Sequence, residues 1–466
     1  MAPSYDELAA EVLRLRDDNQ RLRAQVEELT QSLQQALRRS KRQAAPFAKG
    51  EPKPHPKKPG RRSGERHGPH GHRPPLPDEQ IDEHLQAPLP AHCPHCDGRV
   101  LETHVHTQDQ VELPARPRYR RFHIHCGQCQ QCGRPVRGRH PEQTSDATGA
   151  AGSQVGARAQ ALAVYLNKDA GLSHAKTARV LGQLGIALTP GGSAQIMLRA
   201  ARRLRPVYQD LRRRLAEEEH LTPDETGCRI GGHSAWLHVW VGANVTCFAI
   251  DPHRSAEVLA AVIGWQWSGT LTHDGCASYD RFLWAGHQQC VGHVVRRAHE
   301  LEETQTGAAK RFPRQVITLF QGALAVRDQF VDGQLDQAAL AAAHAHYIDE
   351  LLELTARLRS NAANECLAQH LYGHGEQWLT FLQDPSVPAT NHRAEQALRG
   401  PIVNRKVWGG NRTAVGGEAQ SILSSTVATC KQQAVSFCQF LADTLRGLPR
   451  TLFGSTEPAP GAFTAK

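Results

Sequence analysis

The chain has 466 residues, room for about three domains at roughly 150 residues each. Lysine and arginine number 55 against 46 aspartates and glutamates, a net charge of +9. No run approaches the roughly 18 apolar residues of a membrane span, and the start Met1-Ala-Pro-Ser-Tyr-Asp-Glu carries no apolar signal core, so no membrane partner and a cytoplasmic chain are expected. Twelve cysteines without an export signal read as reduced thiols and metal ligands, not disulfides.

Residues 1–45 predict a coiled coil. Leu8, Leu15, Leu22 and Leu29 fall seven apart, with Val12, Asn19, Val26 and Leu33 interleaved. Leucine at one seam position and mostly valine at the other favours two parallel strands, and a lone seam asparagine fixes register. A homodimer or higher multimer is therefore expected. The competing reading is an amphipathic helix packed on its own body. Residues 46–80 read as a disordered basic linker, rich in Pro, Gly, Lys, Arg and His. From Arg38 to Arg73 twelve basic residues meet two glutamates. Such a run suggests a polyanion partner.

Residues 81–140 predict a zinc ribbon. Cys93-Pro-His-Cys96 is followed by Cys126-Gly-Gln-Cys129-Gln-Gln-Cys132, with strand-like Val111–Leu113 and Arg121–His125 between. A tetrahedral Zn²⁺ takes four thiolates, two from each tight turn, and a site closed by four protein ligands is structural. Cys126/Cys129 and Cys129/Cys132 both have the spacing. Cys129 and Cys132 are preferred, because Gly133 follows Cys132 as Asp97-Gly98 follow Cys96.

Residues 150–212 are helical. Ser173 caps a helix through Leu181, Gly185 breaks it, and a second helix runs from Pro190 to Leu204 with Arg199, Arg202 and Arg203 near its end. Two short helices about a glycine turn suggest a helix-turn-helix that binds DNA. A plain helical pair packed on the next domain is the alternative.

Residues 213–455 form the expected catalytic domain, with a disordered tail at 456–466. A short strand runs into Asp224. Ala235–Gly242 and Thr246–Ile250 are two more, Arg254–Ile263 is a helix, Gly269–Asp274 is a fourth strand, and His287–Val291 is a fifth that opens into a helix from His293. This is the order of a ribonuclease-H-like α/β sheet, in which the first and fourth strands are neighbours. Residues 296–388 are mostly helix formers without a strand signal and read as a helical insertion. Thr390 or Asn391 then caps a helix carrying Glu395.

Asp224, Asp274 and Glu395 are the candidate catalytic residues. If they converge, three carboxylates offer hard oxygen ligands for two Mg²⁺, or Mn²⁺. Paired cations stabilise both the attacking and the leaving oxygen of a phosphodiester displacement. Among 46 acidic residues a trio alone is a weak signal, since each member also fits a turn, a surface or a solvated helix. Glu225 rivals Asp224, but strand alternation turns the two to opposite faces.

The strings Asp224-Glu-Thr-Gly with Trp236-Leu-His-Val, Thr272-His-Asp-Gly with Tyr279, Cys290-Val-Gly-His293-Val-Val-Arg296 and Asn391-His-Arg-Ala-Glu395-Gln-Ala-Leu-Arg399 carry a resemblance. So do Arg405-Lys-Val-Trp-Gly-Gly and Ser424-Ser-Thr-Val-Ala-Thr-Cys430. The chain resembles the insertion sequence 66 family, a group of bacterial DDE transposases. The resemblance implies that Asp224, Asp274 and Glu395 form the DDE triad, with Mg²⁺-dependent strand cleavage and joining at terminal inverted repeats. It makes those repeats and target DNA the partners, beside accessory proteins of the same element. Cys126 is a fifth cysteine in the zinc region, and His392 stands where a second Asn is expected.

Cys290-x-x-His293 has the spacing of half a metal site, without an evident second half, and a structural or DNA-contacting role is preferred. Arg399, Arg405, Lys406 and Arg412 are expected to meet DNA phosphates. The alternative function is a non-catalytic DNA-binding regulator derived from a transposase. A nuclease that cuts without joining is a third.

Overall fold

The computed structural model describes residues 77–448 and 451–453, except 104, 109, 111–112, 114–115 and 148–153, together with 14–15, 18–22, 25–26 and 29. It divides into two units, Met1–Glu112 and Leu113–Lys466, each described by itself.

In the first unit, the described residues between 14 and 29 are helical. Leu15, Leu22, Val26 and Leu29 of the heptad pattern are exposed. Leu8, Val12 and Leu33, and the linker up to residue 76, lie outside the described residues. Farther on, Cys93 and Cys96 stand in a tight turn: the Cys93 N–H donates to Gly98 O (2.8 Å) and the Asp97 N–H to Cys93 O (2.9 Å).

The second unit opens with the same turn. Strands β1 (Cys126–Gln128) and β2 (Pro135–Arg137) pair antiparallel. Between them the Cys129 N–H donates to Arg134 O (2.9 Å) and the Gly133 N–H to Cys129 O (2.8 Å). The strand expected at Arg121–His125 is not formed; the pairing sits on the knuckle itself, and 111–112 are not described. Helices α1 (Ala157–Lys168) and α2 (His174–Gln183) follow, the latter capped by the Ser173 side chain. Helix α3 (Pro190–Ala216) runs twelve residues past its expected end at Leu204, straight through Pro206. A mid-helix proline costs about 3 kcal/mol. The apolar stripe continues beyond it as Tyr208, Leu211 and Leu215, and all three are buried. Burial of about 2 kcal/mol each outweighs the break.

Next come β3 (His220–Ile230), β4 (His233–Val241), β5 (Thr246–Asp251), α4 (Ala256–Ile263), β6 (Thr270–His273) and β7 (Gly286–Gln289). They form one sheet in the order β5-β4-β3-β6-β7. β3, β4 and β5 are antiparallel, whereas β3–β6 and β6–β7 are parallel. First and fourth strands of the sheet are thus neighbours. After β7 come α5 (Val291–Thr304), α6 (Arg311–Val331), α7 (Gln337–Thr355), α8 (Ala362–His374) and the short α9 (Thr380–Gln383). These helices own a separate apolar core around Phe320, Trp378 and Phe381, and no strand interrupts the described chain between 296 and 388.

The chain returns to the sheet with α10 (His392–Trp408), then α11 (Ala414–Gln432) and α12 (Phe437–Arg446). Ala394 and Leu398, one turn apart on α10, enter a cluster with Leu237, Val239 and Phe248 of the sheet. α11 lies along the edge strand β5. Ser421, Ser425 and Thr429 accept hydrogen bonds from the backbone N–H groups of Ile250 (3.0 Å), Phe248 (2.8 Å) and Thr246 (3.2 Å). Hydroxyls at every fourth helical position meet every second strand residue, because both rise about 6–7 Å per step. An edge that would otherwise offer unpaired donors is thereby closed. Helices α1, α3, α11 and α12 share one core with the sheet.

Candidate active site

Parallel pairing of β3 and β6 matches His220 with Thr270 and Leu221 with Leu271. Continuing each strand by equal steps reaches Asp224 and Asp274 at the same level. The ladder stops before them, and Pro223 gives the reason: proline has no N–H to offer a neighbouring strand. The two chains part there, and both acidic residues lie at the mouth of the split. Asp274 is exposed on the loop after β6, and its Oδ1 accepts the Cys276 N–H (3.2 Å).

Glu395 arrives from α10. The helix start is tied to the β7–α5 junction: the Asn391 N–H donates to the buried Cys290 Sγ (3.4 Å), and the Val291 N–H donates to Ala389 O (3.0 Å). Asn391 occupies the N-cap position, but its side chain caps nothing. Its backbone (φ −82°, ψ 18°) is not the extended form that turns a cap side chain onto the first turn. The buried Asn391 Oδ1 is left without a partner. Glu395 Oε1 stands 3.5 Å from His293 Nε2, and Oε2 stands 3.9 Å from His392 Nδ1. The buried Cys290 thiol is therefore a joint between helices, and His293 faces the glutamate.

The charges of Asp274 and Glu395 reach Asp224, although the three carboxylates do not all lie within 4.8 Å of one another. The Asp224 carboxyl is pushed up to about 7, chiefly by burial and further by the charges of Asp274, Glu225 and Glu395; the Glu225 N–H (2.8 Å) opposes the shift. A half-buried carboxylate facing other carboxylates is costly to ionise unless a cation joins it. Glu225 is already satisfied. Its carboxylate receives Arg254 Nε (2.7 Å) and the Tyr279 hydroxyl.

Among the described residues, the one set of three acidic, histidine or cysteine side chains whose ligand atoms all lie within 4.8 Å of one another is His273, Asp280 and His287. Its imidazoles have no lone pair to spare. The Gly275 N–H donates to His273 Nδ1 (3.2 Å), His273 Nε2 meets His287 Nδ1 (3.1 Å), and His287 Nε2 meets Phe282 O (3.2 Å). A carbonyl at one end and an N–H at the other fix every proton in the chain. Burial, then the neighbouring imidazoles, holds His273 down to about 3, so it stays neutral.

Of the expected phosphate contacts, Arg399, Lys406 and Arg412 are exposed. Arg405 is half-buried and reaches Thr226 Oγ1 (3.5 Å) on β3. The segment after α10 lies against the end of β3, where Asn411 pairs with Ile230. Gly410 permits this approach, since a Cβ there would meet Arg229 O at 2.3 Å. Arg199, Arg202 and Arg203 form an exposed basic row on α3.

The two cysteine turns match bond for bond. Asp97 (φ 60°) and Gly133 (φ 67°) take the same left-handed step after Cys96 and Cys132. Backbone N–H groups aimed at sulfur lower the Cys93 and Cys129 thiols, from His95 and Cys96 in one turn and from Cys132 and Gln131 in the other. Cys126 stands outside the turn, on β1, with its thiol toward Ile124 O (3.7 Å). Donors preset toward a thiolate are what a zinc knuckle requires.

The residues whose structural role sequence reasoning missed are Glu225, weighed only as a rival of Asp224, Arg254, Tyr279 and the α11 hydroxyls. Only the fourfold spacing of Ser421, Ser425 and Thr429 was a readable signal.

Residues 152–419 match the family model described as Transposase IS66 family. This match, on a chain with the α/β sheet described above, defines a transposase. The match spans more than half of the chain, and the chain belongs to the IS66 family. No curated protein matches it. No helix among the described residues is long and apolar enough to cross a membrane.

Proposed function

We propose that this chain catalyses Mg²⁺-dependent cleavage and strand transfer at the terminal inverted repeats of its own mobile element, on a ribonuclease-H-like core. The carrying observation is Asp224, pushed up to about 7 by burial and by the charges of Asp274 and Glu395. Such a site is short of positive charge and built from hard oxygen donors, which fits Mg²⁺ or Mn²⁺ rather than zinc. When bound, the cations would supply charge stabilisation at the attacking and leaving oxygens. Asp224, Asp274 and Glu395 would hold them. The exposed Asp274 leaves an approach for the phosphodiester, and His293 stands beside Glu395.

Exposed Arg399, Lys406 and Arg412, with Arg405 beside β3, would neutralise phosphates and fix the DNA's register without reading its sequence. The basic face of α3 would extend that grip. The matching turns support a structural Zn²⁺ held by Cys93, Cys96, Cys129 and Cys132. The exposed Leu15, Leu22, Val26 and Leu29 support pairing with a second copy of the chain through the coiled coil.

The test is a reaction of the full chain with Mg²⁺ and DNA bearing the element's ends. Cleaved and joined products are expected. Binding without products would favour the DNA-binding regulator, and cleavage without joining would favour a nuclease.

A further inference from the structure

Glu225 follows Asp224 directly, and its side chain is only 4% exposed. Two groups enclose it. Arg254, from the β5–α4 connection, holds one oxygen at 2.7 Å and lies 4.9 Å over the Trp236 ring. Tyr279 donates its hydroxyl to the other. Tyr279 is itself buried and packs on His273, with ring centroids 5.2 Å apart.

Tyr279 closes the loop that begins with Asp274. Within that loop Gly275 takes φ 84°, and the Tyr279 N–H donates to Cys276 O (3.0 Å). Asp274 is thus anchored at one end by β6. At the other it is anchored by a tyrosine bound to the strand residue beside Asp224. The β3–β6 ladder has already ended at Leu221–Leu271, so no backbone pairing fixes this spacing.

We propose that Tyr279 and Glu225 are positioning residues, whose hydrogen bond sets Asp274 against Asp224. Arg254 completes the device by offsetting the charge that Glu225 would add to an already acidic site. The inference rests on the reading of Asp224 and Asp274 as cation ligands, and it adds a second set of residues on which cation affinity depends.

Tyr279→Phe removes the hydroxyl and keeps the ring. Glu225→Gln keeps an acceptor for that hydroxyl. In the full-length chain, Mn²⁺ binding is measured by calorimetry, beside the half-saturating Mg²⁺ concentration for end cleavage and the affinity for end DNA. Loss of one buried hydrogen bond to a charged group is expected to weaken Mn²⁺ binding in Tyr279→Phe roughly tenfold. The half-saturating Mg²⁺ should rise by a like factor, with DNA affinity unchanged. Glu225→Gln should bind Mn²⁺ more tightly than Tyr279→Phe does. Mn²⁺ affinity within twofold of the parent in Tyr279→Phe would overturn the positioning role, as would a parallel loss of DNA affinity. Asp224→Asn separates the two readings. If it abolishes Mn²⁺ binding while Tyr279→Phe binds Mn²⁺ within twofold of the parent, only the positioning role falls. If the parent chain binds no Mn²⁺, both fall.

Discussion

His293 Nε2 lies 3.5 Å from Glu395 Oε1, joining the first turn of α5 to the first turn of α10. The two helices belong to different parts of the chain, with the helical insertion between them. This contact and the Asn391 N–H to Cys290 Sγ bond are where the insertion's entry and exit meet. His293→Ala should leave DNA affinity intact and lower end cleavage by roughly threefold to fivefold, the scale of a partly exposed side-chain pair. Unchanged single-turnover cleavage would remove His293 from the site.

The raised Asp224 carboxyl has a thermodynamic consequence in the metal-free chain. Its folded value, about 7, lies above the ordinary aspartate value of about 3.9. The folded state therefore holds the proton longer, and this group's contribution to stability is complete below about pH 4 and lost as pH rises through about 7. Asp224→Asn has no such loss. In EDTA it should be more stable than the parent at pH 8, by on the order of 1–2 kcal/mol after discounting for partial exposure. The gap should close toward pH 4, and Mg²⁺ should stabilise the parent alone. Thermal unfolding across pH checks the sign.

Ser425 gives the cleanest test of the helix that covers β5. It is fully buried, and its hydroxyl takes the Phe248 N–H at 2.8 Å. Ser425→Ala leaves that donor without a partner, a cost of about 1–3 kcal/mol. Ser421→Ala should cost less, because the Ile250 N–H it serves is only partly buried. Denaturant unfolding of both variants measures the difference.

The matched cysteine turns give a stoichiometric prediction. One zinc per chain is expected by elemental analysis. Cys129→Ser and Cys132→Ser should lose it, and Cys126→Ser should keep it. Loss from Cys126→Ser with retention in Cys132→Ser would reverse the assignment.

Much of this was legible in the sequence because the relevant signals are local. Period-two apolar runs gave the strands around Trp236 and Phe248, and helix formers without strand signal gave the insertion. Strand order then placed Asp224 beside Asp274. What could not be read depends on distant pairing. The helix from Pro190 was expected to end at Leu204, because only the assembled core shows what Leu211 and Leu215 bury. Asn391 looked like a cap, because its backbone angles follow from the Cys290 tie. Glu225 looked like a rival ligand until Arg254 and Tyr279, 29 and 54 residues away, were seen to hold it.

The most direct test of the carboxylate cage is crystallographic. Crystals of the chain with end DNA, soaked in Mn²⁺, would be examined in anomalous difference maps. Peaks ligated by Asp224 and Asp274, with Glu395 on at least one, are the expected result. Manganese confined to His273, Asp280 and His287, or none near Asp224, would contradict the assignment.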